Sequence, residues 1–346
     1  MSLKEPATNY IDTPIGKIPI VPQFLNFEDR LGAWKARWNI GRMNYTIEPG
    51  LYAVGNPDAN SPVLISANYK LSFDSLRKEL KEIDAWILVL DTKGINVWCA
   101  AGKGTFGTEE LINRIQEISL DKVVKHRQLI VPQLGAPGVA AHLVKEATGF
   151  KVIYGPIRAK DLPRFFNSGN KATEDMRIVR FNLIDRLKLI PVEFVQGLKY
   201  VILLAAILFI LSGLNPSGFD ITQMINSGTV SVICILLAFI SGVILTPLLL
   251  PFIPGRAFAL KGFVIVIPIF ILSNYFSLSF QTLHLLEKIA WLLLMASISS
   301  FFAMNFTGAS TYTSLSGVKK EMRFAVPLQV IGSVLGLIFW IVSRFI

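Results

Sequence analysis

The stretch Gly94-Ile95-Asn96-Val97-Trp98-Cys99-Ala100-Ala101-Gly102-Lys103-Gly104 lies between an apolar run, Trp86-Ile87-Leu88-Val89-Leu90, and the acidic opening of a helix, Thr108-Glu109-Glu110. The apolar run is short enough for a buried strand. Beyond the stretch, Leu111, Ile112, Ile115 and Ile118 recur on one helical face. Thr108 is placed to cap that helix, with two acids in its first turn. The pattern predicts Cys99 in a small-residue turn between strand and helix, where open α/β sheets hold ligands. Side chains after Cys99 stay tiny as far as Lys103, so a large flat molecule has room to approach the sulfur.

The same βα rhythm extends to both sides. Strands are expected at 62–66, 86–90, 128–131 and 151–154. Helices are expected at 73–83, capped by Ser72, then at 109–119, 138–147 and 161–166. These four units predict a Rossmann-like, mostly parallel sheet with right-handed crossovers. Upstream, Pro6, Pro14, Pro19 and Pro22 suggest an extended arm, with Trp34 and Trp38 packing on the core. Residues 42–55 read as a hairpin.

Charge divides the chain. Up to residue 200 there are 27 Lys or Arg and 21 Asp or Glu; beyond it there are 7 and 3. The first part reads as a folded aqueous domain and the second as membrane. Apolar stretches at about 194–214, 230–250, 257–276, 289–306 and 324–343 approach the ~20 residues of a spanning helix. Lys261 falls near one end of the third, where it can snorkel. Gly332 and Gly336 in the fifth make a small-xxx-small pair suited to close helix packing. Lys and Arg in successive flanking segments number 5, 0, 2, 1, 3 and 1. The positive-inside rule then predicts a multi-pass protein of the inner (cytoplasmic) membrane, with a cytoplasmic N-terminal domain and an outside C-terminus. The absence of an apolar run in residues 1–10 points the same way. No basic run is interleaved with aromatics, so no nucleic acid is expected as partner. The expected division is 1–175 for the soluble domain, 176–193 for a juxtamembrane linker and 194–346 for the transmembrane domain.

The chain has two cysteines, Cys99 and Cys234, far apart in sequence. That excludes a disulfide scaffold and suits a reducing compartment. An iron–sulfur or zinc site needs more sulfur or imidazole ligands than these provide. A phosphate loop would need Gly at 97 and Ser or Thr at 104, where Val and Gly stand. Two readings of Cys99 stay open: a small thiol packed in the core, and a single thiolate serving a metal that a cofactor brings with it. Cys234, in a predicted span, reads as packing.

Asn96-Val97-Trp98-Cys99-Ala100-Ala101-Gly102-Lys103 resembles the signature of the corrinoid proteins of mercury methylation, the HgcA family. That family is related to the large subunit of the corrinoid iron–sulfur protein of acetyl-CoA synthesis. The likeness continues through Ser66-Ala67-Asn68-Tyr69-Lys70-Leu71-Ser72-Phe73-Asp74. It also takes in 132–142, from Pro132-Gln133-Leu134-Gly135 to His142, and Tyr154-Gly155-Pro156-Ile157-Arg158-Ala159. Each of these segments lies at or just beyond the end of a predicted strand.

The resemblance implies an α/β corrinoid-binding domain and a corrinoid (cobalamin-type, cobalt) cofactor. It implies an enzyme, a corrinoid-dependent mercury methyltransferase that gives methylmercury through a methyl–cobalt intermediate. Cys99 would be the catalytic residue and the lower axial ligand of cobalt. None of His126, His142 or His284 has Asp two residues before and Gly three after, the pattern by which many proteins fill that position with imidazole. A helix N-terminus and Lys103 would favour the thiolate. Asn96 would donate its amide to the sulfur, and Trp98 would wall the ring. Ser66, Ser72, Val97, Ala100, Gly135 and Ala159 complete the expected pocket, Gly135 through the helix start that follows it. Expected partners are mercury(II), a ferredoxin-like 4Fe-4S electron donor (HgcB in that family), and a methyl donor protein or methyltetrahydrofolate-linked methyltransferase. The alternatives are a membrane-anchored corrinoid methyl carrier of one-carbon metabolism, or a non-enzymatic membrane ligand-binding protein.

Overall fold

The structure is a computed structural model and describes residues 9–309 and 315–346. Pro6 of the expected arm and residues 310–314 of the last loop lie outside the described residues. The chain divides into two compact units, one ending at Val179 and the other beginning at Arg180.

The first unit is built on a seven-stranded sheet. Its strands are β1 (Asn9–Thr13), β2 (Gly16–Val21), β3 (Gly50–Val54), β4 (Val63–Ala67), β5 (Ala85–Leu90), β6 (Gln128–Val131) and β7 (Lys151–Tyr154), in the order β1-β2-β3-β5-β4-β6-β7. The four predicted strands form its parallel half, β5-β4-β6-β7. The remaining strands make the sheet mixed. β1 and β2 are an antiparallel pair, and β3 runs parallel to β2 and antiparallel to β5. The hairpin therefore occupies residues 9–21, where an extended arm was expected. It is not at 42–55, where only Gly50–Val54 is strand and Thr46 forms an isolated bridge to Tyr69. The proline-rich segment tolerates this because Pro14 falls in the turn and Pro19 on the edge pair.

Alternation along the strands feeds two cores. Trp86, Leu88 and Leu90 of β5 enter one cluster, together with Ala100, Leu111 and Val144. Ala85, Ile87 and Val89 enter the other, together with Phe73, Leu162 and Phe165. The helices on the first face are α3 (Val97–Lys103), α4 (Thr108–Glu117) and α6 (Ala141–Thr148), with a short α5 (Leu120–Val123) beyond α4. α2 (Lys70–Arg77) and α7 (Leu162–Asn167) lie on the second face. α1 (Phe27–Arg37) opens with a capping box between Asn26 and Asp29.

Several helix starts depart from the expected positions, that of α6 among them, at Ala141 and not at 138. Cys99 is not in a turn but is the third residue of the seven-residue α3. Such a helix is too short to show a period, and its Ala and Gly residues mimic a loop. α2 begins at Lys70 after Tyr69, so Ser72 lies inside it and does not cap it. α4 is capped at Gly107, and Thr108 turns to the neighbouring loop instead. There its Oγ1 donates to Gly138 O (3.3 Å) and accepts from Ala140 N (2.8 Å).

A buried charge cluster joins α1 to α2. Asp29 meets Lys70 Nζ at 2.8 Å and Arg77 Nη2 at 2.8 Å, while Asp74 meets the same two cations at 3.1 and 2.8 Å. Arg77 Nη1 also donates to Pro22 O at 2.7 Å. Burial works against charge on Asp29, but hydrogen bonds from Lys70, the Asn26 backbone and Arg77 outweigh it and hold its carboxyl below the usual range. Burial prevails at Asp74 and pushes its pKa up. Tyr45, beside the cluster, is raised to about 12, chiefly by burial.

Among the described residues the second unit holds five helices long and apolar enough to cross a membrane: Leu183–Leu211, Ile221–Leu249, Phe258–Phe276, Leu285–Gly308 and Ser316–Val342. Lys261 does not snorkel outward. It is buried and donates to Leu250 O (2.8 Å) and Ile253 O (2.5 Å), carbonyls left open at the end of the preceding helix. Gly332 and Gly336 sit in close helix contacts, where a Cβ would lie 2.5 Å from Ser297 Oγ and 2.8 Å from Leu294 Cγ. Glu287 and Arg344 form a buried ion pair.

Candidate functional site

After β4 the chain places β5 on one side of it and β6 on the other. Such a reversal opens a crevice beyond the C-terminal strand ends, the habitual ligand position in doubly wound sheets. A cavity of about 350 Å3 lies there. β4 contributes Leu64, Ile65 and Ser66, and α2 contributes Leu71, Ser72 and Ser75. The cap and first turn of α3 supply Asn96, Val97 and Trp98. Ile130 and Pro132 at the end of β6, with Gly155, Pro156, Ile157 and Ala159 after β7, close the far wall.

Cys99 follows the lining residue Trp98 on α3 and is partly exposed. Asn96 fixes its backbone: Asn96 Oδ1 accepts from Cys99 N at 2.9 Å. The asparagine thus acts as a helix cap, satisfying an N–H of the first turn. It was expected to donate to the sulfur, and no such bond is found among the described residues. Six of the expected pocket residues line the cavity: Ser66, Ser72, Asn96, Val97, Trp98 and Ala159. Two do not. Ala100 is fully buried in the core beneath α3. Gly135 lies in a 3-10 turn, six residues before the helix it was expected to open, and packs so tightly that a Cβ there would meet Phe106 at 2.4 Å.

The loop that delivers α3 depends on Asn68, which the sequence reading passed over. Its Oδ1 accepts from Thr92 N (3.1 Å), Thr92 Oγ1 (2.8 Å) and Gly94 N (3.0 Å). Its Nδ2 donates to Asp91 Oδ1 at 3.2 Å. Burial opposes charge on Asp91, but hydrogen bonds from Lys93 prevail and lower its pKa. Gly94 has φ +71, and a Cβ on it would come 2.9 Å from Met43 O. Ile95 O lies 2.7 Å from the same Thr92 hydroxyl, whose single proton is shared between the two acceptors.

Tyr69, also passed over, lines the cavity. Burial pushes its phenol up, Arg42 and Arg37 pull it back, and the nearby Cys99 sulfur adds a smaller upward push. The site therefore combines apolar walls, a few hydroxyls and one accessible thiol on a helix whose approach is rigidly hydrogen-bonded. The donors available to a metal are a single soft sulfur. Among the described residues no group of three or more His, Cys, Asp or Glu could hold an ion unaided.

Residues 41–166 match the family described as the CO dehydrogenase/acetyl-CoA synthase delta subunit. A subunit gamma of the acetyl-CoA decarbonylase/synthase complex from Methanopyrus kandleri is 37% identical over 121 residues, which is 34% of this chain and 26% of that protein. Its counterpart in Archaeoglobus fulgidus is 34% identical over 113 residues, 32% of this chain and 24% of that protein. The corrinoid/iron-sulfur protein large subunit of Moorella thermoacetica is 31% identical over 121 residues, covering 34% and 27%. The chain thus spans about a quarter of the length of these relatives. The matched region contains β3 to β7 and the whole cavity wall. The α/β half of this chain is therefore related to the acetyl-CoA synthase and corrinoid/iron–sulfur subunits, which supports the relation to the HgcA family suggested by the residues around Cys99.

Proposed function

We propose that the first unit binds a corrinoid over the strand-end cavity and that the chain transfers a methyl group from it to mercury(II). The observation that carries this reading is the partly exposed Cys99, on the first turn of α3 and adjacent to the cavity residues Asn96, Val97 and Trp98. A cavity of about 350 Å3 falls at the small end of the ~300–1,000 Å3 usual for ligands. A whole corrinoid exceeds it, so the cavity would take one portion, and the exposed Gly102, Lys103 and Gly104 leave the neighbouring rim unobstructed.

Bound cobalt supplies methyl carriage; the chain supplies the sulfur and its surroundings. Cys99 would be the residue that holds the metal, through its sulfur. The electron-rich sulfur would make the bound cofactor a better donor of a methyl group to an electrophile such as mercury(II). Asn96 and Asn68 keep the helix turn that carries the sulfur in place. Trp98 and Val97 provide an apolar wall, and the Ser66 and Ser72 hydroxyls provide polar contacts for the cofactor's periphery.

The same sulfur would disfavour reduction of the bound metal, so this reading calls for a low-potential electron source. With two cysteines the chain cannot itself supply the four thiolates of a 4Fe-4S cluster. A ferredoxin-like partner such as HgcB would deliver electrons, and a methyltetrahydrofolate-linked protein would deliver the methyl group. The five apolar helices would hold the unit at the cytoplasmic face of the inner membrane, with the C-terminus outside. Tags at the two ends of the chain then become accessible from opposite sides of sealed vesicles; access from one side contradicts this topology.

A second reading has the same domain carrying methyl groups in one-carbon metabolism. It is favoured by the relatives, which are named as subunits of acetyl-CoA decarbonylase/synthase. Methylmercury output from cells carrying Cys99→Ala separates the two. The mercury reading predicts its loss, and unchanged output contradicts it.

A further inference from the structure

Tyr69 is held firmly on every side but one. Its carbonyl accepts from Ser72 N (2.9 Å) and Phe73 N (3.2 Å), and its backbone bridges to Thr46. The Arg42 guanidinium lies 5.4 Å from its ring centroid and is itself anchored by Nη1 donating to Ala36 O at 3.3 Å. The side chain lines the cavity and is only 4% exposed. Yet its hydroxyl, fully buried, has no hydrogen-bond partner among the described residues.

Buried tyrosine hydroxyls are normally paired, because an unpaired one has given up water for nothing. If this ring served packing alone, phenylalanine would fill the place without that penalty. Tyr45, close by in the same unit, shows the ordinary case: it is also buried, and its hydroxyl donates to Asp29 O at 3.2 Å. The exception at Tyr69 occurs in the wall of the cavity, near the Cys99 sulfur. The stacked cation favours an electron-rich partner for the phenol.

We propose that Tyr69 is a ligand-binding residue of the cavity, donating its O–H to an oxygen acceptor, an amide carbonyl or a phosphate oxygen, on the molecule bound there. This rests on the corrinoid reading, since a corrinoid carries both kinds of acceptor on its periphery. Tyr69 positions the bound group; it takes no part in the transfer itself.

The test titrates full-length protein in detergent with hydroxocobalamin, following absorbance, for the wild type and Tyr69→Phe. The melting temperature of each is also measured without ligand. The expected result is affinity weakened roughly threefold to tenfold in Tyr69→Phe, the worth of one hydrogen bond. The ligand-free melting temperature should be unchanged or higher, because an unpaired buried hydroxyl has been removed. Equal affinities would overturn the inference and leave the corrinoid reading standing. A lower ligand-free melting temperature in the variant would mark the hydroxyl as structural and also overturn it. If the wild type itself shows no saturable binding of hydroxocobalamin, the corrinoid reading fails, and this inference fails with it.

Discussion

Asn68 and Thr92 are joined twice: Asn68 Oδ1 accepts from both the backbone N (3.1 Å) and Oγ1 (2.8 Å) of Thr92. This pair ties the end of β4 to the loop that leaves β5, and so sets where α3 begins. Asn68→Ala removes the shared acceptor and leaves buried donors at Thr92 and Gly94 unpaired. The expected cost is about 1–3 kcal/mol, concentrated in this loop. Hydrogen exchange of peptides spanning 91–99 should accelerate while peptides from β6 and β7 stay protected. Uniform exchange across both regions would contradict the role given to Asn68.

Gly94 gives a second test of the same loop. Its φ of +71 and the 2.9 Å approach of a built Cβ to Met43 O leave no room for a side chain. Gly94→Ala should lower the stability of the first unit by more than the ~1 kcal/mol that separates glycine from alanine elsewhere. Urea unfolding followed by intrinsic tryptophan fluorescence measures this. A stabilised variant would mean that the loop adopts another backbone.

The Asp29 cluster predicts a response to acid. Its carboxyl titrates below the usual range in the folded chain, so its stabilisation is present above the unfolded value near pH 4 and is lost as pH falls through the folded value. Asp74 is shifted the other way, so its penalty is relieved by acid and partly offsets the loss. Asp29→Asn should destabilise the unit by about 3–5 kcal/mol at pH 7, because Lys70 and Arg77 stay buried without that charge. The gap between wild type and variant should narrow below about pH 4. Denaturant midpoints measured from pH 7 to pH 3 check both statements.

Much of the architecture is legible in the residues themselves. Four short apolar runs, each followed by a helical face, became β4 to β7, and the five apolar stretches became long helices. Local pattern fails where position depends on distant partners. The β1–β2 hairpin hides among prolines that it accommodates at its turn and edge. Ser72 and Thr108 look like caps, but the caps are Tyr69 and Gly107, and Thr108 instead bonds to the loop at Gly138 and Ala140. The strand-end rule brought Ser66, Ser72, Asn96 to Trp98 and Ala159 into one wall. It could not reveal Asn68 or Tyr69, although both lie between Ser66 and Asp74. What they do depends on residues 91–94 and on Arg42, which the fold alone brings to them.

Donation from the Cys99 sulfur to cobalt should be visible in the absorption spectrum of the corrinoid bound to full-length protein, compared between the wild type and Cys99→Ala at equal cobalt content. In the wild type the bands should be displaced from those of the free cofactor, and they should return toward the free positions once the sulfur is gone. Identical spectra from the two proteins, with the cofactor bound in both, would contradict it.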